Sequence, residues 1–194
     1  GLHAATDGAF DPTVQPAWLS LAQGRVPKPS QGWRHLRFTD DQVRFDRPDM
    51  AITLNGIAQG HVTDRIAELL KARGLTNVLI DIGEVSAIGG RPDGKQWKAG
   101  IADTKGRVIH HVSLADRALA TSAPKGTLLD AAGTVGHILN PIHPEVPAQR
   151  QLVSVSAAKA AVADGLSTAL CLLDDRKAHA AVAAYGNARI EMMI

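Results

Sequence analysis

Cysteine is nearly absent from this chain of 194 residues. The single thiol, Cys171, lies in an apolar run, so an internal disulfide and a cysteine-built zinc site are both excluded. Aromatic residues make up only 4%, which leaves the interior to be filled mainly by Ala, Val, Leu and Ile, and that suits helices packed closely on a sheet. Long apolar runs are missing too. The longest Ala-rich stretch, 157–173, is broken by Lys159 and Asp164, short of the roughly 18 apolar residues a membrane span requires, so a soluble chain is expected. Neither sign of charge dominates: 21 Lys and Arg against 19 Asp and Glu leave +2, scattered rather than striped, and nucleic acid is not an expected partner. The chain opens at Gly1 with no basic, apolar leader, so any targeting segment is expected to have been removed or to lie outside this sequence.

Hydrophobic residues at 45% and charged residues at 21% are ordinary globular proportions, and the length suits a single domain over 1–194. Val62, Ile66, Leu69 and Leu70 recur at helical spacing with charged residues opposite, so a helix is predicted over 61–73 with Gly74 as its stop. Strands are predicted over 78–82, 97–101, 108–114, 118–121, 135–139, 152–157 and 189–194, with Asp93-Gly94 as a hairpin turn. Helical composition returns over 158–173, and Asp174 or Asp175 can cap a further helix over 177–185 that closes at Gly186. Segment 23–49, with Pro27, Pro29, Gly32 and Pro48, reads as an irregular excursion and the best place for a mobile loop. Strands outnumber helices and hairpins dominate, so the class is α+β.

Four constellations could carry chemistry. Leu54 to His61 is a glycine-bearing turn leading into a helix, where unpaired N–H groups and the peptide dipoles favour a phosphate; alternatively the glycines only fit the helix against its neighbours. Asp164 and Thr168 stand four apart on one helical face and offer two oxygens suited to Mg²⁺, unless Asp164 caps locally and Thr168 bonds back to a carbonyl. His137, read at a strand edge near the hydroxyls of Thr121 and Ser122, could act as a general base. The polar segment from Thr6 to Val14 is either part of a site or only a capped turn. Two other patterns are discounted. His110 and His111 are adjacent on a strand and point to opposite faces, and Gly89 to Gln96 fits G-x-x-x-x-G-K but places Gln96 where Ser or Thr is required and runs into a strand.

Taken in order, these blocks resemble the FAD:protein FMN transferases, the ApbE family. The resemblance is carried by Gly8-Ala9-Phe10-Asp11-Pro12-Thr13-Val14, Asn55-Gly56-Ile57-Ala58-Gln59-Gly60-His61 with Asp64-Arg65, and Asp81-Ile82-Gly83-Glu84. It continues through 97–101, Ala120-Thr121-Ser122, His137-Ile138-Leu139-Asn140-Pro141 and Ala163-Asp164-Gly165-Leu166-Ser167-Thr168-Ala169. The resemblance implies mixed, mostly antiparallel sheets with packed helices, and a further N-terminal section ahead of this segment. It also implies Mg²⁺-dependent transfer of FMN from FAD to a Thr or Ser hydroxyl of a target flavoprotein, with release of AMP. By the same resemblance the carbonyl of Ala58 with Asp164 and Thr168 would hold the metal. Ala9, Phe10, Asp11, Asn55, His61, Glu84 and Leu139 would line the FAD site, and His137 would be the base. Gln59 stands where most members carry Lys, and His61 where they carry Tyr, which removes one positive charge and one stacking ring. The central blocks resemble the NosX-like branch, implying a periplasmic location and a membrane NosR-like acceptor. A non-catalytic flavin- or nucleotide-binding member, a partner scaffold, and an FAD pyrophosphatase using the same metal site remain alternatives.

Overall fold

The computed structural model describes residues 1–30 and 32–194. In chain order its elements are α1 (Leu2–Ala5), α2 (Gln15–Ala22), β1 (Leu36–Phe38), β2 (Val43–Phe45), α3 (Ala58–Ala72), β3 (Val78–Asp81), β4 (Val85–Ile88) and β5 (Trp97–Ala102). There follow β6 (Val108–Leu114), β7 (Ala118–Ser122), β8 (Val153–Ala157), α4 (Ala160–Leu170), α5 (Asp175–Ala183) and β9 (Arg189–Met193). Strands β3-β4-β7-β8-β9 form one five-stranded sheet in that spatial order, and β5-β6 and β1-β2 form separate hairpins. Every pairing between these strands is antiparallel, in keeping with an α+β chain whose neighbours are joined by turns.

Period-two alternation in the sheet builds a layered core. On one face Ala120, Val153, Val155 and Ala157 meet Ala163, Leu166 and Leu170 of α4, all of them buried. Small side chains at 120, 157 and 163 let the helix lie close to the strands, and each fully buried Leu contributes roughly 1.5–3 kcal/mol. On the opposite face Leu119 and Ala87 join Ala99, Ile101, Val112 and Leu114 of the β5–β6 hairpin. Buried hydroxyls in β8 are satisfied within the sheet: Ser154 bonds Thr121 at 2.6 Å, and Ser156 accepts from Arg117 at 2.9 Å.

Helix α3 ends as its sequence predicts. Gly74 adopts φ +82, and the N–H of Leu75 reaches the carbonyl of Leu70 at 3.1 Å, which closes the last turn. Asp174, rather than Asp175, caps α5 through the N–H of Lys177 at 2.8 Å. Among the described residues no helix is long and apolar enough to cross a membrane. The Gly89 to Gln96 segment is a turn between β4 and β5, with Gly94 at φ +79, and no helix follows it.

Several expectations need correction. Residues 135–139 are not a strand: Leu128 and Gly136 form an isolated bridge, and the N–H of His137 is used by the carbonyls of Pro124 and Thr127 at 3.0 and 3.1 Å. The backbone there turns back on its own loop and has no ladder to join. Segment 23–49 is less irregular than expected, since it contains the β1–β2 hairpin. Strand β4 and helix α2 were not predicted: β4 is only four residues, enclosed by glycines, and α2 has Pro16 in its first turn and no polar-apolar periodicity over eight residues.

Candidate active site: a carboxylate-lined cleft

Helices α3 and α4 cross at Gly60. A Cβ on Gly60 would lie 2.5 Å from the carbonyl oxygen of Ala160 and 2.7 Å from the Cα of Ala161, so only glycine permits this approach. At the crossing the helices exchange caps. The N–H of Gly60 donates to Oδ2 of Asp164 at 3.0 Å, while Asp64 accepts from the N–H groups of Ala160 and Ala161 at 2.8 and 3.0 Å. Each carboxylate therefore satisfies the start of the other's helix. This changes the reading of the glycine turn. The N–H of Ala58 goes to the carbonyl of Leu54, that of Gly60 to Asp164 and that of His61 to the carbonyl of Ile57, so these donors are not presented to a phosphate.

Beside the crossing lies a cleft of about 390 Å³, within the size range of small-molecule sites. It brings together Ala9, Phe10, Asp11, Asn55, Glu84, His137, Leu139, Asp164 and Thr168 from five separate parts of the chain. Its walls include three carboxylates, those of Asp11, Glu84 and Asp164, and no Lys or Arg. Asp164 is 5% exposed, and burial pushes its carboxyl up to about 6 against the pull of the Gly60 N–H. Glu84 is 6% exposed, and its Oε2 has no hydrogen-bond partner among the described residues. Burial first, then the negative charge of Asp164, push the Glu84 carboxyl up to about 8. The β3–β4 turn aims it inward: Gly83 at φ +110 makes the tight corner, with the amide of Gln59 packed over it.

Two buried carboxylates without a basic neighbour, beside the hydroxyls of Thr168 and Ser122, are the donor set of a hard cation. Among the described residues no three His, Cys, Asp or Glu cluster as a complete metal cage. The set instead suits a cation that keeps sites open for water and substrate oxygens, as Mg²⁺ does, so the residues present fit such an ion.

His137 lines the same cleft from the 123–137 loop. Its Nδ1 lies 3.0 Å from the carbonyl of Pro124 and 3.3 Å from that of Thr127. A carbonyl only accepts, so Nδ1 carries the hydrogen and Nε2 of the neutral ring is left with its lone pair. Gly136 permits the close turn, since a Cβ there would sit 2.2 Å from the carbonyl oxygen of Pro124. Asp130 holds the loop together by accepting from the hydroxyl of Thr134 and the N–H of Val135.

The N-terminal segment forms the third wall, and here the capped-turn reading holds in part. Oδ1 of Asp11 accepts from the N–H and hydroxyl of Thr13 at 2.8 and 2.6 Å, so this carboxylate is occupied in holding the turn that presents Phe10. His61 is exposed on α3 and does not line the cleft, and neither does half-buried Ala58, although Gly56 and Gln59 near it do. Sequence reasoning missed Trp18, which reaches the cleft from α2, as well as Thr53. An aromatic in an aromatic-poor chain was the available signal for Trp18. Cys171 is buried with its thiol pushed up to about 12 by desolvation, and it takes no part.

The ApbE family model matches residues 1–194. The chain belongs to the ApbE family. It is 28% identical over 217 residues to the FAD:protein FMN transferase of Salmonella typhimurium, a match covering 99% of this chain and 62% of that protein. Its fold is similar to that of the flavin transferase ApbE from Vibrio cholerae, with TM-score 0.78, 25% identity, and coverage of 97% of this chain and 67% of the other. The ApbE protein from Thermotoga maritima superposes with TM-score 0.80 at 26% identity, covering 97% of this chain and 69% of that one. The chain spans about three fifths of the length of the Salmonella relative.

Proposed function

We propose that this ApbE-family chain transfers the FMN half of FAD to a Thr or Ser hydroxyl of a target flavoprotein, with release of AMP. The observation that carries the reading is the gathering, in the lining of one cleft, of buried Asp164 and Glu84 with an imidazole whose Nδ1–H is fixed by two carbonyls. A pyrophosphate placed there requires positive charge, and the walls offer no Lys or Arg. Asp164 and Thr168 of the lining, together with the carbonyl of Ala58 by the family resemblance, would hold a divalent cation, Mg²⁺ by preference. Such an ion neutralises phosphoryl oxygens and stabilises the leaving phosphate.

The protein's own groups then have distinct tasks. Nε2 of His137 takes the proton of the acceptor hydroxyl as its oxygen attacks the FMN-side phosphorus. The bridging P–O bond breaks, and AMP leaves with the bridging oxygen. Phosphoryl transfer asks for alignment and charge more than for covalent help, so a cleft with few reactive groups suffices. Phe10 and Trp18 offer flat apolar surface to a flavin or adenine ring. The NosX-like blocks support a membrane flavoprotein of the periplasm, NosR-like, as the acceptor.

The test is to incubate the chain with FAD, Mg²⁺ and a protein bearing a Thr acceptor, then follow flavin by in-gel fluorescence and intact mass. Covalent flavin on the acceptor is expected. Free FMN and AMP without it would mean that water is the acceptor, and unchanged FAD would refute catalysis altogether.

A further inference from the structure

We infer that Glu84 is a second carboxylate ligand of the divalent cation, so that the cation loads before the dinucleotide; this rests on the transferase reading of the cleft. Glu84 is more than nine-tenths buried, lines the cleft, and has an oxygen with no hydrogen-bond partner. A buried carboxylate oxygen without a partner is costly to ionise, and the site supplies no basic side chain to offset it. A cation does offset it. Asp164 lies near enough to Glu84 for the two charges to oppose each other, and its Oδ2 is already engaged by the N–H of Gly60 at 3.0 Å. One ion between the two carboxylates relieves that opposition and satisfies the free oxygen of Glu84 in a single step.

The two ligands arrive on rigid elements of separate origin. Asp164 comes from α4, held by the crossing at Gly60, and Glu84 from the β3–β4 turn, held by the Gly83 corner. Without an ion the lining carries only negative charge and opposes a dinucleotide phosphate; a divalent cation cancels two of those charges and offers its open coordination sites to phosphate oxygens. The ordering follows from that loss of repulsion.

The test is a Mn²⁺ titration of the FAD-free chain, with free Mn²⁺ read by electron paramagnetic resonance. The wild type is expected to bind one Mn²⁺ per chain. Glu84→Gln should weaken that binding at least tenfold, Glu84→Asp should weaken it less, and Glu145→Gln, at an exposed carboxylate, should leave it unchanged. Melting in chelator shows that each variant folds, and the Glu84→Asp arm carries the test should Glu84→Gln not fold. Equal Mn²⁺ affinity in wild type and Glu84→Gln, or no Mn²⁺ bound by the FAD-free wild type at millimolar concentration, overturns the inference. Loss of FAD affinity in Glu84→Gln at unchanged Mn²⁺ affinity overturns it as well, and makes Glu84 a contact of the dinucleotide. Mn²⁺ binding that depends on Glu84, found without any flavin transfer, upholds it while refuting the transferase reading.

Discussion

Replacing Gly60 by Ala sets two effects against each other. Helix propensity favours Ala over Gly by about 1 kcal/mol inside a helix, and Gly60 is the third residue of α3. Against this, the new methyl carbon would stand 2.5 Å from the Ala160 carbonyl oxygen and 2.7 Å from both the Ala160 carbonyl carbon and the Ala161 Cα. All three are backbone atoms of α4, so no side chain can swing aside. The helices must separate by the better part of an ångström, and overpacking of that kind costs about 1–3 kcal/mol. Separation also stretches the exchanged caps, the 3.0 Å bond to Asp164 and the 2.8 and 3.0 Å bonds to Asp64. Hydrogen bonds to charged groups are worth about 1.5–3 kcal/mol each. The expected net loss is about 3–6 kcal/mol, a large part of the 5–15 kcal/mol that holds an ordinary domain together. Urea unfolding followed by far-ultraviolet circular dichroism measures it. Gly186→Ala is the control, since nothing lies within 4 Å of the added carbon, and it should shift stability by less than 1 kcal/mol. A Gly60→Ala chain within 1 kcal/mol of wild type would refute the close crossing and the cap exchange with it.

Four further outcomes are expected. Glu84 and Asp164 are raised in the fold from 4.5 and 3.8 to about 8 and about 6, so between those limits the folded chain binds more protons than the unfolded one. In chelator, the contribution of these two groups to the unfolding free energy should therefore be fully present below about pH 4 and be lost as pH rises towards 8, with Mg²⁺ reversing the loss; wild-type stability that rises from pH 5 to 8 in chelator would contradict this. His137→Gln should slow flavin transfer at least a hundredfold while FAD affinity stays within about threefold, and a matching loss of FAD affinity would make the residue structural. Asp164→Ala should abolish metal-dependent transfer. FAD should quench tryptophan emission through Trp18, the one Trp among the residues lining the cleft, so Trp18→Phe should remove most of the quenching; unaltered quenching would exclude Trp18 as a cofactor contact.

The sequence made the long elements legible because their cores repeat with a clear period. Helix α3 shows a charged face and a glycine stop, and β7 and β8 are apolar on the face that meets α4. What escaped was set by tertiary geometry. His137 looked like a strand residue because Val135 to Leu139 is apolar, yet its N–H is taken by carbonyls of residues 124 and 127, a closure that no local pattern announces. The donors at the start of α3 looked free because Asp164, the group that binds Gly60, is 104 residues away in sequence. Glu84 was found through a family pattern, whereas its burial and unpartnered oxygen required coordinates.

The exchange of caps explains why the carboxylate best placed for a cation also belongs to the fold. Gly60 and Asp64 lie on α3, Ala160 and Asp164 on α4, and each helix offers its own early N–H groups to the other's carboxylate. Asp64 spends both oxygens on this task, at 2.8 and 3.0 Å, and does not line the cleft. Asp164 does line it, with Oδ2 on a single N–H. Two chemically identical side chains in nearly symmetrical positions thus divide into a structural cap and a candidate ligand, according to which one faces the cleft. The division accounts for the difference in their surroundings: the group facing Glu84 is held above its ordinary carboxyl value by burial, in a place where only a cation would make its charge favourable.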